Sequence, residues 1–163
     1  MRQGVDAVTD IARSAVALAT QEVARTRNKV LLISGAATTE LSGKACSATT
    51  TQWSYDTYSF AKGTASQMTK QGEDSWFFLT SDYAFGHSLQ NDASHFAEAN
   101  GGKVVGSVRF PFGTPDFSSF VLQAQASKAK VVGLAMSGAD LLNAIKQARE
   151  FGLFSAVRLS RAS

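Results

Sequence analysis

Two histidines, His87 and His95, stand eight residues apart, and His95 forms a His-x-x-Glu pair with Glu98, a combination with some affinity for metal ions. A metal site needs three or four convergent ligands, and nothing nearby completes this set. Asn100-Gly101-Gly102-Lys103 brings glycines to a lysine, but without the spacing of a phosphate loop and ahead of a strand rather than a helix. It reads as a helix stop. Ser34 and Ser137 each stand beside a glycine at a strand end, yet neither lies in the Gly-x-Ser-x-Gly turn that exposes a nucleophile, and neither has a histidine placed as its base. No residue is therefore assigned as catalytic or metal-ligating, and no cofactor is expected.

The residues that do form a consistent set are small and polar, and they follow the carboxyl ends of the predicted strands. In open α/β sheets the ligand crevice lies beyond those ends. They are Asp10 and Ser14 after the first strand, Ser34-Gly35-Ala36-Ala37-Thr38 after the second, Ser81-Asp82-Tyr83-Ala84-Phe85-Gly86 further on, and Met136-Ser137-Gly138-Ala139-Asp140 last. Hydroxyls and backbone N–H groups at helix starts suit a carboxylate, and the aromatics suit an apolar ligand body. Each residue taken singly also fits a plain cap or turn.

The elements that must position them alternate. Val5 to Thr9 reads as a strand and Ile11 to Arg27 as a helix with Ala12, Val16, Ala19 and Val23 on one face. Val30 to Ile33 is a second strand, and a Thr-, Ser- and Gly-rich loop runs from Ala36 to Thr51 before a short strand at Gln52 to Tyr55. Thr57 to Gln71 forms a helix stopped by Gly72; Trp76 to Leu79 is a strand buried on both faces; Asp82 is placed to cap a helix with Phe85, Leu89, Ala93 and Phe96 inward. Lys103 to Phe110 is a strand, Asp116 opens a helix, Val131 to Ala135 is a strand, and a final helix stops at Gly152, with Val157-Arg158-Leu159 opening one more strand. This order predicts an α/β protein with parallel sheets and right-handed crossovers. The expected organisation is 1–52 as part of one lobe, 53–57 as a crossover and 58–163 as part of a second. Both ends look cut, and the lobes as given are short of a full sheet, so the isolated piece is expected to fold poorly.

Composition narrows the classes of function. The chain has 163 residues, 44% hydrophobic and 18% charged, and its 16 basic and 13 acidic residues lie in no run that suits nucleic acid. No apolar stretch approaches a membrane span, the first residues carry no signal peptide, and the single Cys46 gives no redox evidence.

Ser34-Gly35-Ala36-Ala37-Thr38-Thr39-Glu40-Leu41-Ser42 resembles the Ser-Pro-Ala-x-Thr-x-x-Leu segment of substrate-binding proteins from branched-chain amino acid ABC transporters, and Asp82 to Gly86 resembles their Asp-x-x-Tyr-Gly turn. Val5 to Ala17, the Gly113 to Ser118 turn and the strand into Asp140 extend the likeness over most of the chain. The resemblance implies incomplete lobes of a type 1 periplasmic binding protein, three-layered αβα. It implies a periplasmic, non-enzymatic role: binding a small carboxylate in a cleft between two lobes and delivering it to an ABC transporter permease. By the same likeness Ser14, Ala36, Ala37 and Thr38 hold the carboxylate; Asp82, Tyr83, Phe85, Ser137 and Gly138 face it; and Tyr55 stands at the crossover with Asp56. Two departures bear on the ligand. Met136-Ser137 stands where amino acid binders usually offer an aromatic, and their acidic partner for the ammonium would fall near or beyond Ser163. Relatives worded Trp-x-Tyr-Asp-Thr and Asp-Tyr-Ala-Phe-Gly, as in Trp53 to Thr57 and Asp82 to Gly86, include binders of aromatic carboxylates. A cytoplasmic sensor of the same fold and a serine hydrolase remain as alternatives.

Overall fold

A computed structural model describes residues 4–153 and 158–160. These divide between Thr57 and Tyr58 into two compact units. The first carries β1 (Ala7–Thr9), α1 (Ser14–Thr26), β2 (Val30–Ile33) and β3 (Thr50–Gln52). Its three strands run parallel in the order β1-β2-β3, with Val8 opposite Leu31 and Leu32 opposite Thr51. The second holds β4 (Ser75–Ser81), α3 (Ala84–Ala99), β5 (Lys103–Phe110), α4 (Ser118–Ala126), β6 (Val131–Ala135), α5 (Gly138–Glu150) and β7 (Arg158–Ser160). It also takes all but the first residue of α2 (Thr57–Lys70). Its four strands are parallel in the order β5-β4-β6-β7.

The apolar run of β4 dictates the layering of the second unit. Residues 75–81 are buried without exception, so side chains alternating across the strand need cover on both faces. Trp76 and Phe78 join Ala61 and Ala65 of α2 and Leu89, Ala93 and Ala97 of α3. Phe77 and Leu79 join Phe110, Val121 of α4 and Ala144 and Ala148 of α5. The result is the expected αβα sandwich with two cores. Burying a Phe or Leu side chain fully stabilises by roughly 1.5–3 kcal/mol, and β4 makes that contribution on both faces at once.

The expected strands at Lys103 to Phe110 and Val131 to Ala135 form with those bounds, and Gly72, Gly101 and Gly152 sit at positive φ just past α2, α3 and α5. Arg158 and Leu159 lie in the expected last strand, while Val157 falls outside the described residues. The helix expected to open at Asp116 starts at Ser118 with Phe117 as its N-cap, and three further details differ. The helix α1 starts at Ser14 rather than Ile11 and buries Ser14, Ala17, Gln21 and Ala24, while Val16 and Val23 of the expected inner stripe are 50% and 45% exposed. An Ala- and Val-rich helix carries more than one apolar stripe, and side-chain hydrogen bonds decide between them. Gln21 Nε2 donates to the Ala45 carbonyl, and Ser14 accepts from the Thr38 amide. The third strand falls at Thr50–Gln52, ahead of the expected Gln52 to Tyr55, because it pairs through its backbone with β2 and carries no apolar signal. Asp82 does not cap α3. The N-cap is Tyr83, which makes no side-chain cap bond, and the Asp82 carboxylate pairs with His87 at 2.7 Å instead.

Gly86 is demanded by close approach. A Cβ there would stand 2.1 Å from the Ser81 carbonyl oxygen and 2.9 Å from that of Ala135, both backbone atoms that cannot swing away. Gly86→Ala is therefore expected to cost about 2–3 kcal/mol or more, read as a lower urea midpoint with an unchanged slope.

Candidate functional site

In the first unit the residues beyond the strands are knitted into one corner. Ser34 Oγ donates to Asp10 Oδ1 at 2.9 Å, linking the ends of β1 and β2. The Ala36 N–H donates to the Ile11 carbonyl at 2.9 Å, and Gly35 runs so close that a Cβ would lie 3.0 Å from the Ala12 backbone. Gln52 Nε2 donates to the Ala36 carbonyl at 2.9 Å, and the Thr57 N–H donates to that of Ala37 at 2.8 Å. The Thr38 N–H reaches Ser14 Oγ at 3.3 Å. Ser14, Ala36, Ala37 and Thr38 thus lie together, all four buried. The Ala36 N–H is held by that bond to the Ile11 carbonyl. The Ser14 hydroxyl stands in the first turn of α1, whose N-cap Arg13 makes no side-chain cap bond. Such a helix start favours an anion through its aligned N–H groups. Tyr55 lies three residues past β3 and is exposed.

The second unit gathers a different set at the carboxyl ends of β4, β5 and β6. The Asp82 N–H donates to the Phe110 carbonyl and the Tyr83 N–H to that of Ser81, both at 2.8 Å. Tyr83 stands at the start of α3 and Ser137 at the start of α5, both in extended conformation and neither making a cap bond. Their hydroxyls lie 3.1 Å apart. The Tyr83 ring lies 6.1 Å from that of Phe85 and packs edge-on against Phe112 at 5.5 Å. Gly138 opens α5 at φ 64°. Tyr83, Phe85, Ser137 and Gly138 therefore share one edge of the sheet, and Asp82 stands beside them in its pair with His87.

Sequence reasoning missed Phe112 and the two side chains that hold its loop. Buried Asp140 accepts the Gly113 N–H through Oδ2 at 3.1 Å. Gln147 accepts the Phe117 N–H at 2.6 Å through Oε1 and donates to the Pro115 carbonyl at 3.1 Å through Nε2. Within the loop, the Ser118 N–H donates to Asp116 and holds its carboxyl below the ordinary 3.8. Because the folded value is lowered, that bond is intact above the ordinary carboxylate range and is lost as pH falls through the depressed value. Ser81 Oγ, at the end of β4, is buried with no hydrogen-bond partner among the described residues. Among the described residues no group of three or more His, Cys, Asp or Glu could hold a metal, and no helix is long and apolar enough to cross a membrane.

Residues 1–161 match the family described as periplasmic binding protein, and the chain belongs to it. A periplasmic binding protein from Burkholderia mallei superposes with a TM-score of 0.97 at 46% identity over 99% of this chain and 43% of its own. A branched chain amino acid ABC transporter periplasmic ligand-binding protein from Burkholderia xenovorans gives 0.77 at 36% identity, over 97% of this chain and 42% of its own. A solute binding protein of an ABC transporter from R. palustris, in complex with benzoate, gives 0.89 at 21% identity, over 98% of this chain and 44% of its own. No curated protein matches the chain. The α/β units thus match lobes of the type 1 periplasmic binding protein fold, and the chain spans less than half the length of these relatives. Members of the family are binding proteins, not enzymes.

Gln147→Ala would strand the Phe117 N–H and free the loop. It is expected to lower stability by about 1–2 kcal/mol and raise hydrogen exchange at Gly113 and Phe117 before the rest of the sheet.

Proposed function

We propose that the protein is the solute-binding component of an ABC importer, working in the periplasm, and that its ligand is a small carboxylate. Residues of both units would contribute to binding, with Ser14, Ala36, Ala37, Thr38 and Tyr55 from one, and Asp82, Tyr83, Phe85, Ser137 and Gly138 from the other. The observation that carries this reading is the meeting of the Ser14 hydroxyl with the start of α1 and the Thr38 segment. That corner offers hydrogen-bond donors and a favourable dipole to an anion, and no nucleophile with its base. The ligand body falls to the aromatic edge of the second unit, where Tyr83, Phe85 and Phe112 supply apolar surface. An aromatic acid fits that edge better than a branched-chain amino acid, because the described residues supply three rings while the carboxylates of Asp82 and Asp140 are already paired, with His87 and with the Gly113 amide. The benzoate complex of the R. palustris protein and the branched-chain description of the B. xenovorans protein bracket the two ligand classes. Delivery to a permease follows from the same reading.

The test is calorimetry and thermal melting of the full-length protein with benzoate, 4-hydroxybenzoate, leucine and the uncharged analogue benzamide. An acid at a hundredfold excess over its Kd stabilises by about 2.7 kcal/mol, which raises Tm by several degrees. Benzamide is expected to leave Tm unchanged. Ser14→Ala should weaken the bound acid about tenfold or more, since hydrogen bonds to charged groups contribute about 1.5–3 kcal/mol. Absence of any shift with every carboxylate at millimolar concentration would overturn the reading.

A further inference from the structure

The loop between β5 and α4 is built to hold one exposed aromatic in place. Phe112 is 48% exposed, although it follows a strand that ends in fully buried Phe110 and precedes buried Phe117. A phenylalanine left half in water is ordinary on a mobile surface, where nothing fixes it. Here the backbone on its carboxyl side is fixed three times, by Asp140 to the Gly113 N–H and by Gln147 to the Phe117 N–H and the Pro115 carbonyl. Thr114 Oγ1 adds a bond to the Pro111 carbonyl at 2.7 Å, across Phe112 itself. Asp140 is buried, and placing a carboxylate in the interior costs free energy that one loop amide offsets only in part. Phe112 then packs edge-on against Tyr83, with ring planes at 82°, beside the Tyr83–Ser137 hydroxyl pair. A fixed ring with half its surface uncovered, at the carboxyl end of a parallel sheet, is what a planar apolar ligand needs.

We propose that Phe112 is a specificity-determining residue that selects ligands with an aromatic body, its ring meeting the ligand ring in an edge-to-face or offset contact. The inference rests on the carboxylate-binding reading and adds to it the residue that sets the ligand class. Tyr83 backs Phe112, and the Asp140 and Gln147 clamps position it without touching the ligand. An aliphatic acid of equal bulk gains only apolar burial from this ring, whereas an aromatic acid gains ring geometry as well.

The experiment compares benzoate with cyclohexanecarboxylate, of the same size and charge, and with leucine. Titration calorimetry is run on the full-length protein as wild type, Phe112→Leu and Phe112→Tyr. Wild type is expected to prefer benzoate. Phe112→Leu should weaken benzoate about fivefold while changing cyclohexanecarboxylate less than about twofold, and Phe112→Tyr should keep the benzoate preference. The residue is half exposed, so a Phe112→Leu melt within about two degrees of wild type shows that the fold is intact. Equal loss of both cyclic acids, or no loss of either, overturns the role of Phe112 and leaves the carboxylate reading standing. Wild type binding leucine but not benzoate does the same. Wild type binding none of the three acids overturns the carboxylate reading, and this inference with it.

Discussion

Burial of β4 on both faces is the constraint from which the second unit follows. Seven consecutive buried residues need a helical layer on each side, and parallel strands joined by helices supply those layers. The same connectivity makes each helix begin where a strand ends. The starts of α3 and α5, with Tyr83 and Ser137, therefore arrive at one edge because Trp76, Phe77, Phe78 and Leu79 must be covered. The gathering of these residues at that edge is a by-product of core packing, refined by loops.

The first unit is held together differently. Its three strands are short, and its corner depends on polar side chains that reach across the chain: Gln21 to Ala45, Gln52 to Ala36, Ser14 to Thr38 and Ser34 to Asp10. Each serves a backbone or side-chain group that a small sheet cannot satisfy by its ladder. These bonds fix the loop that follows β2, so the placement of Ala36 to Thr38 is set by glutamines and serines together with the apolar packing of Ala36.

The sequence carried the parts of this fold that apolar pattern encodes. The strands β4, β5 and β6 were legible because they are continuous or alternating runs of Val, Phe, Trp and Leu, and the helix ends were legible because glycine marks them. The inner face of α1 was not, since Ala12, Val16, Ala19 and Val23 are as apolar as the stripe that is buried and only the long-range bonds of Ser14 and Gln21 choose between them. The third strand hid in Thr50-Thr51-Gln52, which has no apolar periodicity at all. Small polar residues after strands pointed to the corner at Ser14 and Thr38 and to the edge at Tyr83 and Ser137. Phe112 escaped notice because Pro111-Phe112-Gly113 reads as a turn, and the two side chains that give it weight come from α5, much further along the chain.

Those two clamps also bear on how the protein can change. Asp140 and Gln147 are seven residues apart, two helical turns, so they lie on one face of α5, and every atom they grip belongs to the loop backbone. Neither reads a side chain. The loop's shape is thus insured by the helix, while residue 112 stands outside the insurance, open to replacement without disturbing its support. On the proposal made for Phe112, ligand preference could change by substitution at that one position while the loop backbone keeps its shape.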